Sequence, residues 1–488
     1  MMLPKTLFGV LGFVLVLSPI YSDDTEKVEK YFRKIRNSEP LLQAFFSNMP
    51  KGGDIHHHFS GSVYAENYFD LAVEKNFYVN IETGDTYQIV PQNLLDEPNI
   101  QPIQSFIDGK NYLSVRLKLI TLWSIKDFKE AQKSADKHFF EAFRKFGPLL
   151  KGNHDFFLKE IKRRAILENI QYLETMLLRP EYNKDDRFNE FSKKYNKILS
   201  ETDTKNDPNK LKSIFNEMFT ELKNEHKFIE QSKKHSELVK SIYDKSKLSK
   251  EEEDKLVVRF QNNIIRTESP VDIFSQLFLS FQSDYISEEI VGTNLVGPED
   301  NPQAMRDYSL QMQMFKFFKS KYPNQKFSLH AGELTLGVVP PEDLSWHINS
   351  AVREAGAYRI GHGVDVPFEK DSYSLLKYMK EKRIPVEVSL ISNEFILDVK
   401  NDSHPILLYH KFRVPIVITS DDMGVLRSSL TGQYTALAKR YKKLSYKDIK
   451  GFVFNSIEFG FIDETEKTRI KKNLTEKFQT FEKEILEE

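Results

Sequence analysis

Three short polar motifs, far apart in this chain, carry the side chains best suited to catalysis. They are His56-His57-His58, His330-Ala331-Gly332-Glu333 and Ser420-Asp421-Asp422. Imidazoles and carboxylates are ligands that Zn²⁺ takes in catalytic sites, which leave one position for water. Such an ion lowers the pKa of the water to about 7 and so makes a nucleophile at neutral pH. Together the motifs predict a hydrolytic metal site.

Strand geometry selects the ligands within the first motif. Side chains two residues apart in a β-strand point to the same face, so His56 and His58 can reach one ion while His57 faces away. Taken alone, the pair is equally well explained as coincidence or as a hydrogen-bonded surface pair. Three consecutive histidines also occur in purification tags, but this run is internal and follows the strand-like Asp54-Ile55.

A tight turn can join a metal ligand and an acid in the second motif. His330 follows the apolar run 327–329. Gly332 permits a turn that brings Glu333 back over the same mouth. The alternative for this motif is a core histidine followed by a glutamate at a helix N-terminus.

The third motif and an isolated histidine complete the set of polar landmarks. Asp421 and Asp422 end the apolar run 414–418, where two adjacent carboxylates need a compensating charge that a cation supplies. Their alternative is to cap the following helix. His362 lies between two glycines, which let its ring and backbone approach a ligand closely. We expect a role in polar catalysis, against the alternative of a structural histidine in a turn.

Eight short β-rich runs indicate a closed barrel. Their polar landmarks beyond residue 285 fall about 30 residues apart, which is the length of a strand plus its crossover helix. The carboxyl ends of such strands meet at one mouth, where barrel active sites lie. The runs are 54–58, 171–177, 257–265, 289–296, 326–329, 358–361, 386–389 and 414–419. The predicted fold class is α/β, a TIM-like (β/α)8 barrel.

Further segments surround the predicted barrel, which spans residues 49–463. They are a helical arm at 23–48, insertions at about 76–111 and 181–255, and a polar amphipathic C-terminal helix at 464–488. In the second insertion, apolar residues recur at helical steps from Leu211 to Leu222, which favours packing against the barrel or a partner chain. The arm fits a dimerising element, and hence a homodimer, although packing on the barrel is the simpler interpretation.

Composition restricts the partners and the compartment. The 70 Lys and Arg residues nearly balance the 71 Asp and Glu residues, a net charge of −1, so no field recruits nucleic acid. The absence of cysteine excludes disulfides and thiolate metal sites. Residues 1–22, with Lys5, an apolar run at 7–17 and Pro19, predict a secretory signal peptide. The chain is therefore expected to be secreted or periplasmic, with no membrane contact after cleavage; an uncleaved N-terminal anchor is the alternative.

In their order along the chain, these motifs resemble those of the adenosine/AMP deaminase family, within the metal-dependent amidohydrolase superfamily. The segment 49–58 is most similar to the opening motif of the secreted branch, the adenosine deaminase-related growth factors. Segments 330–333, 359–363 and 420–422 match in turn. The resemblance covers about residues 49–460, and the two insertions fit it poorly.

The resemblance implies one Zn²⁺ per chain, held by His56, His58, His330 and Asp421. It also implies that Glu333 donates a proton to purine N1, which makes C6 more electrophilic. Water then adds to C6 and ammonia leaves. The implied activity is hydrolysis of a C–N bond of a cyclic amidine, which converts adenosine, and also 2′-deoxyadenosine, to inosine and ammonia.

The remaining roles that the resemblance implies concern orientation. His362 would orient the attacking water and help to deprotonate it. The backbone N–H of Gly297 would meet purine N3, and Asp422 would bind N7. Ser60 stands where cytosolic members carry an acid that contacts the ribose, and the run 387–393 keeps the Glu and Ser-Asn of a family motif without its Cys-Pro.

Other functions stay open at this stage. The substrate could be adenine or an N6-substituted purine, since the pocket loops decide that choice. The same scaffold could serve as a non-catalytic extracellular binding or signalling protein, although such a protein has no need of Glu333. An amidohydrolase that cleaves a non-purine amide is a third interpretation.

Overall fold

The computed structural model describes residues 23–107, 110–130, 134–202 and 207–487, which contain eleven strands and twenty α-helices. The predicted signal peptide, residues 1–22, lies outside those ranges. The strands are β1 (Gly52–His58), β2 (Tyr78–Asn80), β3 (Thr86–Tyr87), β4 (Ile100–Pro102), β5 (Ile170–Leu178), β6 (Val257–Ile265), β7 (Ile290–Val296), β8 (Phe327–Ala331), β9 (Arg359–His362), β10 (Val386–Val388) and β11 (Ile416–Ile418).

The helices lie mainly between the strands and at the two ends of the chain. They are α1 (Asp23–Ile35), α2 (Glu39–Asn48), α3 (Phe59–Ser62), α4 (Ala65–Glu74), α5 (Tyr112–Leu122), α6 (Ala135–Leu150), α7 (His154–Leu167), α8 (Asp186–Glu201), α9 (Pro208–Asn224), α10 (Phe228–Lys245), α11 (Lys250–Glu253), α12 (Pro270–Ile286), α13 (Pro302–Lys321), α14 (His347–Asn349), α15 (Ser372–Lys382), α16 (Leu390–Leu397), α17 (Ile406–Phe412), α18 (Leu430–Arg440), α19 (Tyr446–Glu458) and α20 (Glu464–Glu487). A π-helical turn at Ser350–Ala355 continues α14.

Eight parallel strands form the barrel that the sequence predicts, in the order β1-β5-β6-β7-β8-β9-β10-β11. All eight predicted runs coincide with these strands. Their side chains are nearly all buried, as expected for parallel strands covered by helices on the outside and by each other within. The ring closes beyond β11, where Asp421 forms a parallel bridge with His57 of β1.

The barrel interior contains a buried ionic layer below the mouth. Arg359 of β9 bonds the carboxylates of Glu174 (β5) and Glu387 (β10) at the same time, and all three side chains are at most 1% exposed. The guanidinium group lies 3.6 Å from the centroid of the Phe461 ring. Each carboxylate in this layer is therefore paired with the guanidinium group, as buried charges require.

The two predicted insertions contain regular structure of different kinds. In the first, β2 pairs antiparallel with both β3 and β4, a small sheet that the Gly, Pro and Asn punctuation did not indicate. The second contains α8 to α11, and its apolar stripe is buried. Phe215 of this stripe contacts Phe274 of α12 and Phe317 of α13, so the stripe packs on the outer helices of the barrel in the same chain.

The N-terminal arm packs on the C-terminal helices. Phe32 of α1 lies beside Tyr446 of α19, and Phe45 of α2 contacts Phe481 of α20 with ring centroids 5.1 Å apart. Both phenylalanines are buried within this single chain. Among the described helices, none combines the length and apolar character needed to cross a membrane.

Candidate metal centre and active site

Barrel closure brings the first and third motifs together. The backbone N–H of Asp421 donates to the carbonyl of His56 (3.0 Å), and the N–H of His58 donates to the carbonyl of Asp421 (3.3 Å). Asp421 adopts a φ of +61°, which directs its side chain towards the mouth. The hydrogen bonds that join the last strand to the first thus place a carboxylate beside two histidines.

Three imidazoles and one carboxylate converge at this point. Nε2 of His58 lies 3.1 Å from Nε2 of His330. Oδ1 of Asp421 lies 3.4 Å from Nε2 of His58 and 3.7 Å from Nε2 of His56. As predicted from strand alternation, His57 faces away, and its Nδ1 bonds Thr175 at 2.8 Å.

The charge states of these groups fit a divalent cation. Burial lowers the pKa of His58 to about 4 and holds the pKa of His330 well below its ordinary value, so both rings offer neutral nitrogen. Burial alone would raise the pKa of Asp421, but the neighbouring histidines outweigh it and lower the pKa, so this group is a carboxylate. Nε2 of His56 is buried without a hydrogen-bond partner among the described residues, as a metal-ligand nitrogen would be.

Partners on the far side of two rings aim them at the centre. Nδ1 of His56 bonds Glu387 (2.7 Å), and Nδ1 of His330 bonds the side-chain oxygen of Asn294 (2.9 Å). Each acceptor holds a proton on Nδ1 and leaves the Nε2 lone pair for a ligand. The sequence analysis gave Glu387 only as part of a family motif and assigned no role to Asn294. Their positions within strands β10 and β7 were the available signal.

His362 lies at the end of β9, at the side of this cluster. Its Nε2 is 4.0 Å from Oδ2 of Asp421, and its Nδ1 is 3.6 Å from Oε1 of Glu333. Burial lowers its pKa to about 3, so the ring is neutral. Its backbone has a φ of +67°, in agreement with the expected turn. His362 therefore bridges the carboxylate of the third motif and the acid of the second.

A second buried network shapes the turn that carries Glu333. The backbone N–H groups of Gly332 and Glu333 donate to the carboxylate of Glu299 at 3.2 and 3.0 Å. Arg266 donates to the carbonyl of His330 at 2.6 Å. Gly332 has a φ of +75°, the conformation for which the sequence analysis invoked glycine. The sequence analysis assigned no role to Glu299, which lies two residues after Gly297, or to Arg266.

The environment of Glu333 favours its protonated form. Burial, followed by the charges of Asp421 and Glu299, raises its pKa well above the ordinary value. Its side chain is 9% exposed, so it still reaches the mouth. A protonated carboxylic acid beside a cation site is a proton donor.

The three predicted substrate contacts occupy the ends of different strands. Asp422 is buried, and its pKa is raised by burial and by Asp421. It packs so closely on Gly61 that a Cβ there would meet Oδ1 at 1.7 Å. Gly297 follows β7 with a φ of +98°, and a Cβ there would come within 3.7 Å of Cγ of Arg266. Ser60 follows β1 in α3, where its carbonyl accepts a hydrogen bond from Tyr68.

Helix capping does not explain the aspartate pair. The next helix, α18, begins only at Leu430, and its cap is Ser429, whose side chain accepts from the N–H of Gly432. Asp421 and Asp422 lie eight or more residues earlier, at the barrel mouth. Their carboxylates are free of any capping role there.

A known protein family matches the part of the sequence that carries most of this site. The sequence model of the adenosine deaminase family matches residues 234–477, which is half of the chain. The match includes His330, Glu333, His362 and Asp421, whereas the histidines of β1 lie outside it. The latter are joined to the site by the geometry of barrel closure.

Individual proteins resemble this chain in sequence or in fold. An adenosine deaminase of Clostridium botulinum is 29% identical over 189 residues, 38% of this chain and 52% of that protein. The chain thus spans about half the length of this curated relative. The N6-methyl-AMP deaminase of Arabidopsis thaliana aligns with a TM-score of 0.52 at 18% identity, over 88% of this chain and 98% of that one. A zinc-bound amidohydrolase of Burkholderia ambifaria aligns at 0.53 and 14% identity, over 91% and 95%.

Proposed function

Since this chain belongs to the adenosine deaminase family, we propose that it is a zinc-dependent hydrolase that converts adenosine, and 2′-deoxyadenosine, to inosine and ammonia. The observation that carries the proposal is a buried carboxyl group, Glu333, at the edge of a cluster of imidazoles and one carboxylate, with its Oε1 3.6 Å from Nδ1 of His362. Burial raises the pKa of this carboxyl group, which favours its protonated form. A binding protein has no use for an acid held in that state, whereas hydrolytic deamination needs one.

The proposed metal ligands are His56, His58, His330 and Asp421. Their chemistry suits Zn²⁺, which takes imidazole and carboxylate ligands and leaves one position open in catalytic sites. When bound, the ion would supply a hydroxide nucleophile by lowering the pKa of water. The zinc-bound amidohydrolase of similar fold supports the choice of metal.

The side chains around the cluster would divide the remaining work. Glu333 would hold its proton towards purine N1, and the raised pKa supports that role. Gly297 would meet purine N3 with its backbone N–H, and Asp422 would bind N7, as protonation of this carboxyl group allows. As the oxygen of water adds to C6, N1 takes the proton of Glu333. Of the two water protons, one returns to the Glu333 carboxylate and the other passes to the amino group, so the C6–N bond breaks, ammonia leaves and C6 becomes a carbonyl.

A substrate screen tests the proposal. We expect the zinc-loaded chain to release ammonia from adenosine and 2′-deoxyadenosine faster than from adenine or AMP. N6-methyladenosine is included with methylamine as the product measured, because one aligned structure is an N6-methyl-AMP deaminase. Turnover of adenine or of an N6-substituted purine alone would support hydrolytic deamination but would replace adenosine as the proposed substrate. No release from any of them would favour a binding or signalling protein.

The interaction between Glu387 and His56 yields a prediction about metal affinity. The Glu387→Gln substitution removes the charge that holds a proton on Nδ1 of His56, so we expect zinc affinity to fall about 10–100-fold. Competition with a fluorescent zinc chelator measures the change. Glu381→Gln, at an exposed position of α15, is the matched control and should leave affinity unchanged. Equal affinities in the two variants would remove His56 from the ligand set.

The proposed cellular address depends on residues 1–22 alone. Secretion or export to a periplasm follows from the signal-like pattern and stays a prediction. Expression of the full chain with a C-terminal tag, followed by N-terminal sequencing of exported protein, tests it. A mature terminus near residue 23 supports cleavage, whereas retention of the full N-terminus supports the anchor.

A further inference from the structure

A chain of three buried side chains leads away from the reacting centre through His362. Nδ1 of His362 lies 3.0 Å from the side-chain nitrogen of Asn393, at the start of α16. The side-chain oxygen of Asn393 lies 3.2 Å from Nε2 of His404. Nδ1 of His404 lies 3.1 Å from the backbone nitrogen of Ile406. All three side chains are buried.

The direction of every hydrogen bond in this chain follows from its last member. A backbone N–H can only donate, so Nδ1 of His404 accepts from Ile406 and carries no proton. A neutral imidazole keeps its proton on the other nitrogen, so Nε2 of His404 is the donor. The group of Asn393 that faces it must then be the carbonyl oxygen, which turns the NH₂ group towards His362.

The same logic fixes the proton on His362. An amide NH₂ group has no lone pair to offer, so Nδ1 of His362 must accept from Asn393 and is unprotonated. Its ring proton therefore sits on Nε2, the nitrogen that faces Asp421. A protonated Nε2 can donate a hydrogen bond into the site and has no lone pair with which to take a proton.

We propose that Asn393 and His404 are positioning residues that lock His362 as the Nε2–H tautomer, so that His362 orients the attacking oxygen by donating to it. This inference rests on the proposed function for the identity of that oxygen. It retains the orienting role implied by family resemblance and replaces the deprotonating role. His362 keeps its proton on Nε2 throughout addition, and its donation directs a lone pair of the oxygen towards C6. The protons of the water go instead to the Glu333 carboxylate, which has given its own proton to N1, and to the leaving amino group.

The Asn393→Asp variant inverts the tautomer. A carboxylate accepts at both oxygens, so it keeps its bond from Nε2–H of His404 and requires a proton on Nδ1 of His362. The two side chains have nearly the same shape, so packing is preserved. Asn401→Asp, at an exposed position of the same connecting region, adds the same charge and is the control, because only the backbone of Asn401, and not its side chain, contacts His404.

Ring-¹⁵N spectra of the zinc-loaded full chain, labelled at histidine, decide the matter, because protonated and bare ring nitrogens resonate far apart. The signals of His362 are those absent from the His362→Gln variant. We expect the proton on Nε2 in the wild type and on Nδ1 in Asn393→Asp. A wild-type His362 protonated on Nδ1 would overturn the proposal, and this spectrum decides even if the variant fails to fold.

Kinetics provide the second readout. We expect Asn393→Asp to lower kcat about 10²-fold, the effect of losing one oriented donor, and to leave KM near its wild-type value. Wild-type kcat in this variant, with the tautomer inverted, would also overturn the proposal. If the wild type deaminates no purine while its His362 carries the proton on Nε2, the proposed function fails and the tautomer assignment stands.

Discussion

The Glu333→Gln variant is expected to bind zinc like the wild type and to lose about 10²–10⁴-fold in kcat. Glutamine has nearly the shape of glutamic acid, so it can occupy the same turn under the hydrogen bonds from Gly332 and the backbone of residue 333 to Glu299. It has no acidic proton to give to purine N1. Zinc content by atomic absorption and steady-state deamination of adenosine measure the two quantities.

A control separates the loss of the acid from a general effect of the substitution. Glu342→Gln changes an exposed glutamate in the short turn that follows the same loop, and it should keep wild-type kcat. The proposed role of Glu333 as an acid also predicts how kcat depends on pH. Because burial raises the pKa of Glu333, the proton is lost only at a higher pH than from an ordinary glutamic acid, and kcat should fall as pH rises through that raised pKa. Loss of zinc in Glu333→Gln would mean that Glu333 is a ligand and not the proton donor.

The Arg359→Met variant is expected to lose about 3–5 kcal/mol of unfolding free energy. Methionine fills much of the same volume, but it leaves the carboxylates of Glu174 and Glu387 buried beside each other without their shared cation. Removing one partner of a buried ion pair costs about this much, because the remaining charge is uncompensated. Urea denaturation, read from the shift in midpoint at constant slope, measures the loss.

Arg383→Met is the matched comparison for that measurement. Arg383 also pairs with a glutamate, Glu458 at 2.7 Å, but its side chain is 66% exposed. A solvated pair of this kind contributes about 0–1 kcal/mol. Equal destabilisation by the two substitutions would mean that the ionic layer inside the barrel adds nothing beyond an ordinary surface pair.

Much of the barrel could be predicted because its period is local. Beyond residue 285 each strand and its crossover helix repeat within about 30 residues, and several of these strands lead into a polar residue at the barrel mouth. We could therefore predict His56, His330 and Asp421 from their residue types and from their positions at strand ends. The turn that carries Glu333 could also be predicted, because a glycine at position 332 permits the positive φ that the turn needs.

The supporting residues could not be assigned because their partners are remote in sequence. Glu387 bonds His56 across 331 positions, and Arg359 reaches Glu174 across 185. A lone Glu or Arg inside an apolar run carries no spacing that reveals which partner it meets. Asn393 and His404 are closer together, yet the tautomer they impose depends on a backbone N–H whose direction only the fold supplies.

Closure of the barrel at Asp421 and His57 has a consequence for how the chain reaches its native state. The first and last strands of the barrel meet through residues that are far apart in the sequence. The proposed metal ligands therefore come together only when the whole barrel has formed. An ion bound there would stabilise the closed barrel by mass action, because partly open forms lack the complete set of ligands. Heat resistance should then climb with free zinc concentration, and assembly should be slow for a molecule of this size.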